Sequence, residues 1–217
     1  MSYPWIRKRW LTPRPGIYRP FGDCTRGALQ HALAELKLSD KLSGEGVEQV
    51  IAAYGLLDAF PEVDEALAAL SDEAFDVFIF SNGSEDMVRP ALASSQVLRR
   101  HSGLFKGVVT VDEPRAFKPT RKVYETLLRK TGRVSQGQDV PVDSSGVWLV
   151  SSNPFDIVGA DAAGLRTAWV DRTGTGWVDQ LGHVVGGKPP SVITSGVDTA
   201  IAGIKAAERD RETEISA

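Results

Sequence analysis

The feature that most constrains the fold is a short apolar run that becomes polar within a single residue. Residues 147–150 read Val-Trp-Leu-Val, and residues 151–156 read Ser-Ser-Asn-Pro-Phe-Asp. Such a run is typical of a strand that is buried on both faces of a parallel sheet. Pro154 then favours the start of a helix with Asp156 in its first turn. Because ligands bind where parallel strands end, this turn is a candidate site, or it is a turn that uses Ser and Asn for capping.

The composition excludes several classes of protein. The 217 residues are 42% hydrophobic and 24% charged, which suits one domain, or one domain with a sizeable insert. A formal charge of −3 predicts no nucleic-acid or membrane partner. The single cysteine excludes a disulfide within these residues and a thiolate zinc cluster. Residues 1–10 lack the apolar core of a signal peptide. We therefore expect a cytoplasmic protein.

The apolar pattern predicts a helical hairpin followed by alternating helices and strands. Helical spacing over residues 29–36 and 47–54 favours two helices with no strand between them. From residue 60 onward, strands alternate with helices, a final helix covers residues 197–206, and residues 175–195 read as a loop. The predicted strands cover residues 75–80, 107–111, 147–150 and 167–170. This alternation predicts an α/β fold with a mostly parallel sheet.

Three polar clusters follow three successive predicted strands, at residues 81–84, 112–118 and 151–156. Because the ends of parallel strands meet at one edge of a sheet, we expect these clusters to converge. The three histidines are scattered along the chain, and no carboxylates cluster at the spacing of a metal site. The sequence therefore predicts neither a metal ion nor a Cys–His nucleophile.

Each candidate residue has a functional and a structural interpretation. Lys118 is either a solvated loop lysine or a fixed positive charge for an anionic group or oxyanion. Asp156 complements the helix dipole, acts as a general acid or base, or holds Lys118 in place. Ser81 and Asn82 bind substrate oxygens or cap the next helix. Tyr124 reaches the same cleft or packs within its helix.

These motifs together resemble one family. Residues 80–84 (Phe-Ser-Asn-Gly-Ser), 117–119 (Phe-Lys-Pro), 150–156 and 171–174 (Asp-Arg-Thr-Gly) resemble the L-2-haloacid dehalogenase branch of the haloacid dehalogenase superfamily. Residues 3–7 (Tyr-Pro-Trp-Ile-Arg) are similar to its cap segment. The resemblance implies a Rossmann-like core with a helical cap. It places a cap segment at residues 1–59, the core at 60–206 and a charged tail at 207–217.

The resemblance also implies roles for four catalytic residues. Lys118 would neutralise negative charge in the site. Ser151 and Asn153 would position the reacting groups, and Asp156 would orient Lys118 or a water molecule.

Four further residues would bind the substrate. Ser81 and Asn82 would contact its carboxylate or leaving group, Arg7 would face the leaving group from the cap, and Tyr124 would reach the same cleft. The partner would be a small molecule, with a homodimer left open. This branch, unlike its phosphatase relatives, needs no magnesium, and we expect no other cofactor.

The sequence departs from the family at its nucleophile. Members begin with an apolar strand that ends in an aspartate, followed by an aromatic residue, Gly and Thr, and we find no such motif in these residues. We therefore expect the first core strand to be absent and two strand edges to be unpaired. Covalent catalysis needs a nucleophile.

Three functions follow from this departure. The sequence favours an enzyme of secondary metabolism that acts on a small molecule by non-covalent acid/base chemistry, such as epoxide opening, rearrangement or cyclisation. The first alternative is an (S)-2-haloacid dehalogenase whose first segment is missing from this sequence. The second alternative is a non-catalytic binding or scaffold protein.

Overall fold

The structure, a computed structural model, describes residues 17–71, 75–133, 144–180 and 182–215. The α-helices in these ranges are α1 (Phe21–Glu35), α2 (Gly44–Ala53), α3 (Val63–Leu70), α4 (Glu85–Ser94), α5 (Gln96–Arg100), α6 (Arg121–Lys130), α7 (Pro154–Ala162) and α8 (Val197–Ile215). The strands are β1 (Val77–Ser81), β2 (Phe105–Thr110), β3 (Trp148–Ser151), β4 (Arg166–Val170) and β5 (Val192–Thr194). Short 3-10 helices cover Tyr54–Leu56, Ser102–Leu104, Ser144–Gly146 and Gly182–Val185.

The strands form two sheets, and every described pairing in them is parallel. β1 pairs with β2, and its last residue, Ser81, lies opposite Thr110. β4 lies between β3 and β5, and Ser151 at the end of β3 lies opposite Trp169. α4 and α5 connect β1 to β2, and α7 connects β3 to β4, as is usual between parallel strands. The predicted α/β class with parallel strands is confirmed.

The chain divides into two compact units. The described residues up to Ala59 form the first unit together with Val77–Phe117, and Phe60–Asp76 forms the second unit with the residues from Lys118 onward. The division into a cap at residues 1–59, a core at 60–206 and a tail at 207–217 stays a prediction.

The first unit contains the helical hairpin and the sheet of β1 and β2. The Arg26 guanidinium on α1 donates from Nε and Nη2 to the two carboxylate oxygens of Glu48 on α2, at 2.6 and 2.8 Å. Ala28 and Val47 are the buried residues of these two helices.

The second unit builds its core between the sheet and α8. Ala168 and Val170 of β4 pack against Ala200 and Ile204 of α8, and all four are buried. β4 is buried along most of its length because β3 and β5 flank it and helices cover it. This central position holds the carboxyl ends of the three strands in fixed register.

The structure differs from the sequence prediction at several elements. β5 lies within residues 175–195, predicted as a loop, because a strand of three residues carries too little periodicity to be recognised. α4 ends at Ser94, and the separate short helix α5, which the sequence did not predict, follows it. The last helix continues past residue 206 to Ile215. Val150 is 37% exposed while Leu149 is buried, so β3 is not buried on both faces within the described chain.

Candidate functional site

Three buried side chains form a hydrogen-bonded cluster in the second unit. Lys118 precedes α6, Tyr124 lies in the first turn of α6, and Asp156 lies in the first turn of α7. The Lys118 ammonium Nζ lies 2.9 Å from Asp156 Oδ2, and the Tyr124 hydroxyl donates to Asp156 Oδ1 at 2.8 Å. Lys118 is only 4% exposed, so its interpretation as a solvated loop lysine is wrong. Each carboxylate oxygen of Asp156 thus accepts a hydrogen bond.

Burial and charge shift the titration of two members of this cluster. Burial lowers the pKa of the Lys118 ammonium, and the Asp156 carboxylate opposes part of that shift. Burial also raises the pKa of the Tyr124 hydroxyl, and the charge and hydrogen bond of Asp156 raise it further. A buried ion pair is tolerated only when its hydrogen bonds are well formed. The cluster therefore holds a cation in a defined position.

Gly159 makes room for this cluster between α6 and α7. A Cβ at Gly159 would lie 2.5 Å from the Tyr124 hydroxyl and 2.6 Å from Cβ of Pro119. Gly159 lies in the interior of α7, where glycine is unfavourable for a helix. An isolated glycine inside a helical pattern is a signal of close packing, and sequence reasoning missed it.

Hydrogen bonds from two backbone amides hold the turn after β3. Ser151 Oγ accepts from the Asn153 amide at 3.1 Å, and the Asn153 carbonyl accepts from the Asp156 amide at 3.0 Å. Asn153 is the N-cap residue of α7, but its side chain makes no capping hydrogen bond. The capping interpretation therefore does not apply to Asn153.

A tryptophan on the neighbouring strand supports the same turn. Trp169 Nε1 donates to the Ser152 carbonyl at 3.4 Å, and its ring packs edge-to-face on Trp177 with centroids 5.0 Å apart. Sequence reasoning missed this contact because an aromatic residue within an apolar strand has the pattern of an ordinary core residue.

Two predicted substrate-binding residues lie in the first unit. Ser81 ends β1 and Asn82 follows it, and Ser81 Oγ accepts from the Gly83 amide at 2.9 Å. Ser84 is the N-cap residue of α4 but makes no side-chain cap. Arg7 lies outside the described residues.

The structure therefore brings some of the predicted site residues together. Lys118, Tyr124 and Asp156 are in contact, and the turn that carries Ser151 and Asn153 leads directly into the helix that carries Asp156. The convergence of this group with Ser81 and Asn82 stays a prediction.

The described ranges contain neither a metal-binding cluster nor a membrane-spanning helix. Within these ranges, no group of three or more His, Cys, Asp or Glu side chains could hold a metal ion. None of the helices there is both long and apolar enough to cross a membrane.

Parallel strands joined by helices, with a buried charged cluster after a strand end, define an α/β protein of the type that places its site at the carboxyl edge of a sheet. The family model described as haloacid dehalogenase-like hydrolase matches residues 27–170. The chain belongs to this family.

Individual relatives show which members of the family this chain resembles. Haloacetate dehalogenase H-2 of Moraxella sp. (strain B) is 32% identical over 187 residues, which cover 84% of this chain and 76% of that protein. The crystal structure of the L-2-haloacid dehalogenase RSc1362 matches with a TM-score of 0.76 and 28% identity, over 93% of this chain and 80% of that one.

A third relative is the L-2-haloacid dehalogenase of Xanthobacter autotrophicus, solved with chloropropionic acid covalently bound. It matches with a TM-score of 0.69 and 26% identity, over 87% of this chain and 77% of that one. The resemblance to the L-2-haloacid dehalogenase branch, inferred from the motifs, is confirmed.

Proposed function

We propose that this protein is a 2-haloacid dehalogenase, which replaces the halogen on C2 of a small (S)-2-haloacid with a hydroxyl group. The observation that carries the proposal is the buried Lys118 ammonium, held by Asp156. The similarity to haloacetate and L-2-haloacid dehalogenases supports the same reaction class. We therefore prefer this function to the non-covalent chemistry that the sequence favoured.

The positive charge of Lys118 suits this reaction. The substrate is a carboxylate, and the C2–halogen bond breaks with its electron pair leaving on the halide. Water supplies the hydroxyl group, so the products are a 2-hydroxyacid anion, a halide and a proton. A cation already fixed in place stabilises such negative charge without reorganising during the reaction.

Asp156 acts as a positioning residue in this proposal. One of its carboxylate oxygens is within hydrogen-bond distance of Lys118 and the other accepts from Tyr124. A carboxylate engaged on both oxygens is poorly placed to attack carbon, so we assign it the role of orienting Lys118. Ser151 and Asn153, on the turn before Asp156, would position the reacting groups.

The direct test is halide release from (S)-2-chloropropionate by the purified 217-residue protein, with the (R) enantiomer as the control substrate. We expect Lys118→Met to reduce the rate by about 100-fold or more, because one stabilising group at developing charge typically contributes that much. Lys122→Met, on the exposed face of α6, is the matched control and should retain the rate. A folded protein of these 217 residues that releases no halide would refute dehalogenation by these residues alone, and a Lys118→Met variant that keeps the full rate would refute the role of Lys118.

Non-covalent acid/base chemistry remains the second candidate, and one observation favours it. The 217 residues contain no aspartate followed by an aromatic residue, Gly and Thr after an apolar strand. Lys118 and Asp156 would then move protons without a covalent step. None of the three relatives described above supports an epoxide substrate, a cyclase or a role in secondary metabolism. Conversion of an epoxide without halide release, abolished by Lys118→Met, would favour this candidate.

A further inference from the structure

We infer that Asp112 is a positioning residue that sets the geometry of the turn carrying Asn82. Asp112 lies just beyond the end of β2, and both of its carboxylate oxygens accept hydrogen bonds. The inference rests on the proposed function for its kinetic consequence, because Asn82 would contact the substrate in that function. Its structural consequence can be measured independently.

Asp112 takes the place of the N-cap side chain of α4. Ser84 occupies the N-cap position, but its hydroxyl makes no capping hydrogen bond. Asp112 Oδ2 instead accepts a hydrogen bond from the Glu85 amide at 2.9 Å, although Asp112 lies 27 positions further along the chain. A carboxylate at a helix N-terminus also interacts favourably with the helix dipole. The start of α4 is therefore fixed by a residue that follows the neighbouring strand.

This contact limits the freedom of the turn between β1 and α4. Ser81 is anchored because β1 pairs with β2 up to the Ser81–Thr110 position. Glu85 is anchored by Asp112, and the Gly83 amide donates to Ser81 Oγ within the turn. Three residues between two fixed ends have few accessible conformations. Removing the Asp112 carboxylate releases one of those ends and so changes the position of Asn82.

Tyr18 holds Asp112 from the other side. Its hydroxyl donates to Asp112 Oδ1 at 2.8 Å, and its ring lies 5.4 Å from that of Phe117, between centroids. The Arg115 guanidinium lies 5.1 Å from the centre of the Tyr18 ring. Thr110 Oγ1 also donates to Asp112 Oδ2, at 3.3 Å. With donors on both oxygens the carboxylate has one preferred orientation, in which Oδ2 faces Glu85.

The kinetic test compares Asp112→Ala with Asp112→Asn. We expect Asp112→Ala to raise KM for (S)-2-chloropropionate by roughly tenfold with a smaller change in kcat, because misplacing a binding group weakens substrate binding. Asp112→Asn should restore KM to within about threefold of the wild-type value, because the amide oxygen still accepts from Glu85 and the amide nitrogen donates to the Tyr18 oxygen. An unchanged KM in Asp112→Ala would overturn the inference.

A matched control separates positioning from general loss of stability. Ser95 Oγ caps α5 by accepting from the Leu98 amide, in the same unit as Asp112. Ser95→Ala removes this helix cap, together with a hydrogen bond to Asp58, without touching the turn at residues 81–84. It should lower stability and leave KM unchanged. If Ser95→Ala raises KM as much as Asp112→Ala does, the effect is one of stability and the inference fails.

The structural readout is the side-chain amide resonance of Asn82 together with hydrogen exchange at the Glu85 amide. Asp112→Ala should shift the Asn82 signal and speed exchange at Glu85, whereas Ser95→Ala and Asp112→Asn should leave both close to wild type. If the wild-type protein releases no halide, the proposed function fails and this readout alone decides the inference. An Asn82 signal that does not move in Asp112→Ala refutes it.

Discussion

At the scale of single residues, Lys118 shows most clearly how the structure selects between interpretations. The sequence places it between Phe117 and Pro119 after a strand, where solvated and buried lysines have the same pattern. The structure buries it and pairs it with Asp156, 38 positions away. No local pattern reports a contact over that separation, so the choice depended on tertiary structure.

The titration of Lys118 should reflect its burial. NMR of the Lys118 side chain should give a pKa below the ordinary value of 10.5, because burial disfavours the charged ammonium. Asp156→Asn should lower the pKa further, since the carboxylate opposes that shift. The same signal in urea gives the unfolded reference. A midpoint at or above the reference in the folded protein would contradict the prediction.

The lowered pKa of Lys118 makes the free energy of unfolding depend on pH in a defined direction. Because the folded-state pKa of Lys118 is lowered, the unfolded state binds more protons between the lowered pKa and the ordinary one. The contribution of Lys118 to the free energy of unfolding therefore rises with pH across that window. The destabilisation caused by burying the charged ammonium is fully present below the lowered pKa and is absent above the ordinary pKa.

At the scale of elements, the packing of α6 against α7 sets the position of the candidate site. Tyr124 comes from α6 and Asp156 from α7, so their hydrogen bond depends on how closely the two helices approach. Gly159 permits that approach. The helices themselves follow from local sequence, but their separation follows from the size of the side chains between them.

Replacing Gly159 tests this packing. Gly159→Ala gains about 1 kcal/mol of helix propensity, but the added methyl group overlaps Tyr124 and Pro119, and overpacking costs about 1–3 kcal/mol. We expect a lower free energy of unfolding in urea and a displaced Tyr124. Gly103→Ala is the control, because no atom lies within 4 Å of an added Cβ there. Equal stability of the two variants would contradict the packing argument.

At the scale of the whole molecule, the C-terminal half of α8 belongs to the fold of the second unit. Glu208 Oε1 accepts from Trp148 Nε1 at 2.6 Å and from Arg166 Nη1 at 2.8 Å, at the starts of β3 and β4. The Arg166 guanidinium also lies 4.1 Å from the centre of the Trp148 ring. These contacts stabilise the helix beyond residue 206, where the charged sequence alone predicts a tail.

Removing this anchor should destabilise the protein. Glu208→Ala should lower the free energy of unfolding by about 1–3 kcal/mol, because the partly buried side chains of Trp148 and Arg166 lose a charged hydrogen-bond acceptor. A protein ending at residue 206 should lose at least as much. Glu214→Ala, exposed on the last turn of α8, is the control and should have little effect. Full stability of the shortened protein would show that the residues beyond 206 are dispensable.

The sequence by itself determined the class of fold and the location of the polar strand ends. Apolar periodicity and Gly, Pro and Ser signals are local, so they predicted the helical hairpin, the parallel strands and the turn at Ser151 and Asn153. The motifs in those turns were also sufficient to indicate the haloacid dehalogenase-like family.

Only the tertiary structure decided which of these residues touch one another. The partner of Lys118, the cap that Asp112 supplies to α4, and the anchoring of α8 by Glu208 join positions 38, 27 and as many as 60 apart. Such contacts depend on how elements pack, because burial and hydrogen bonding are properties of the three-dimensional neighbourhood rather than of the adjacent sequence.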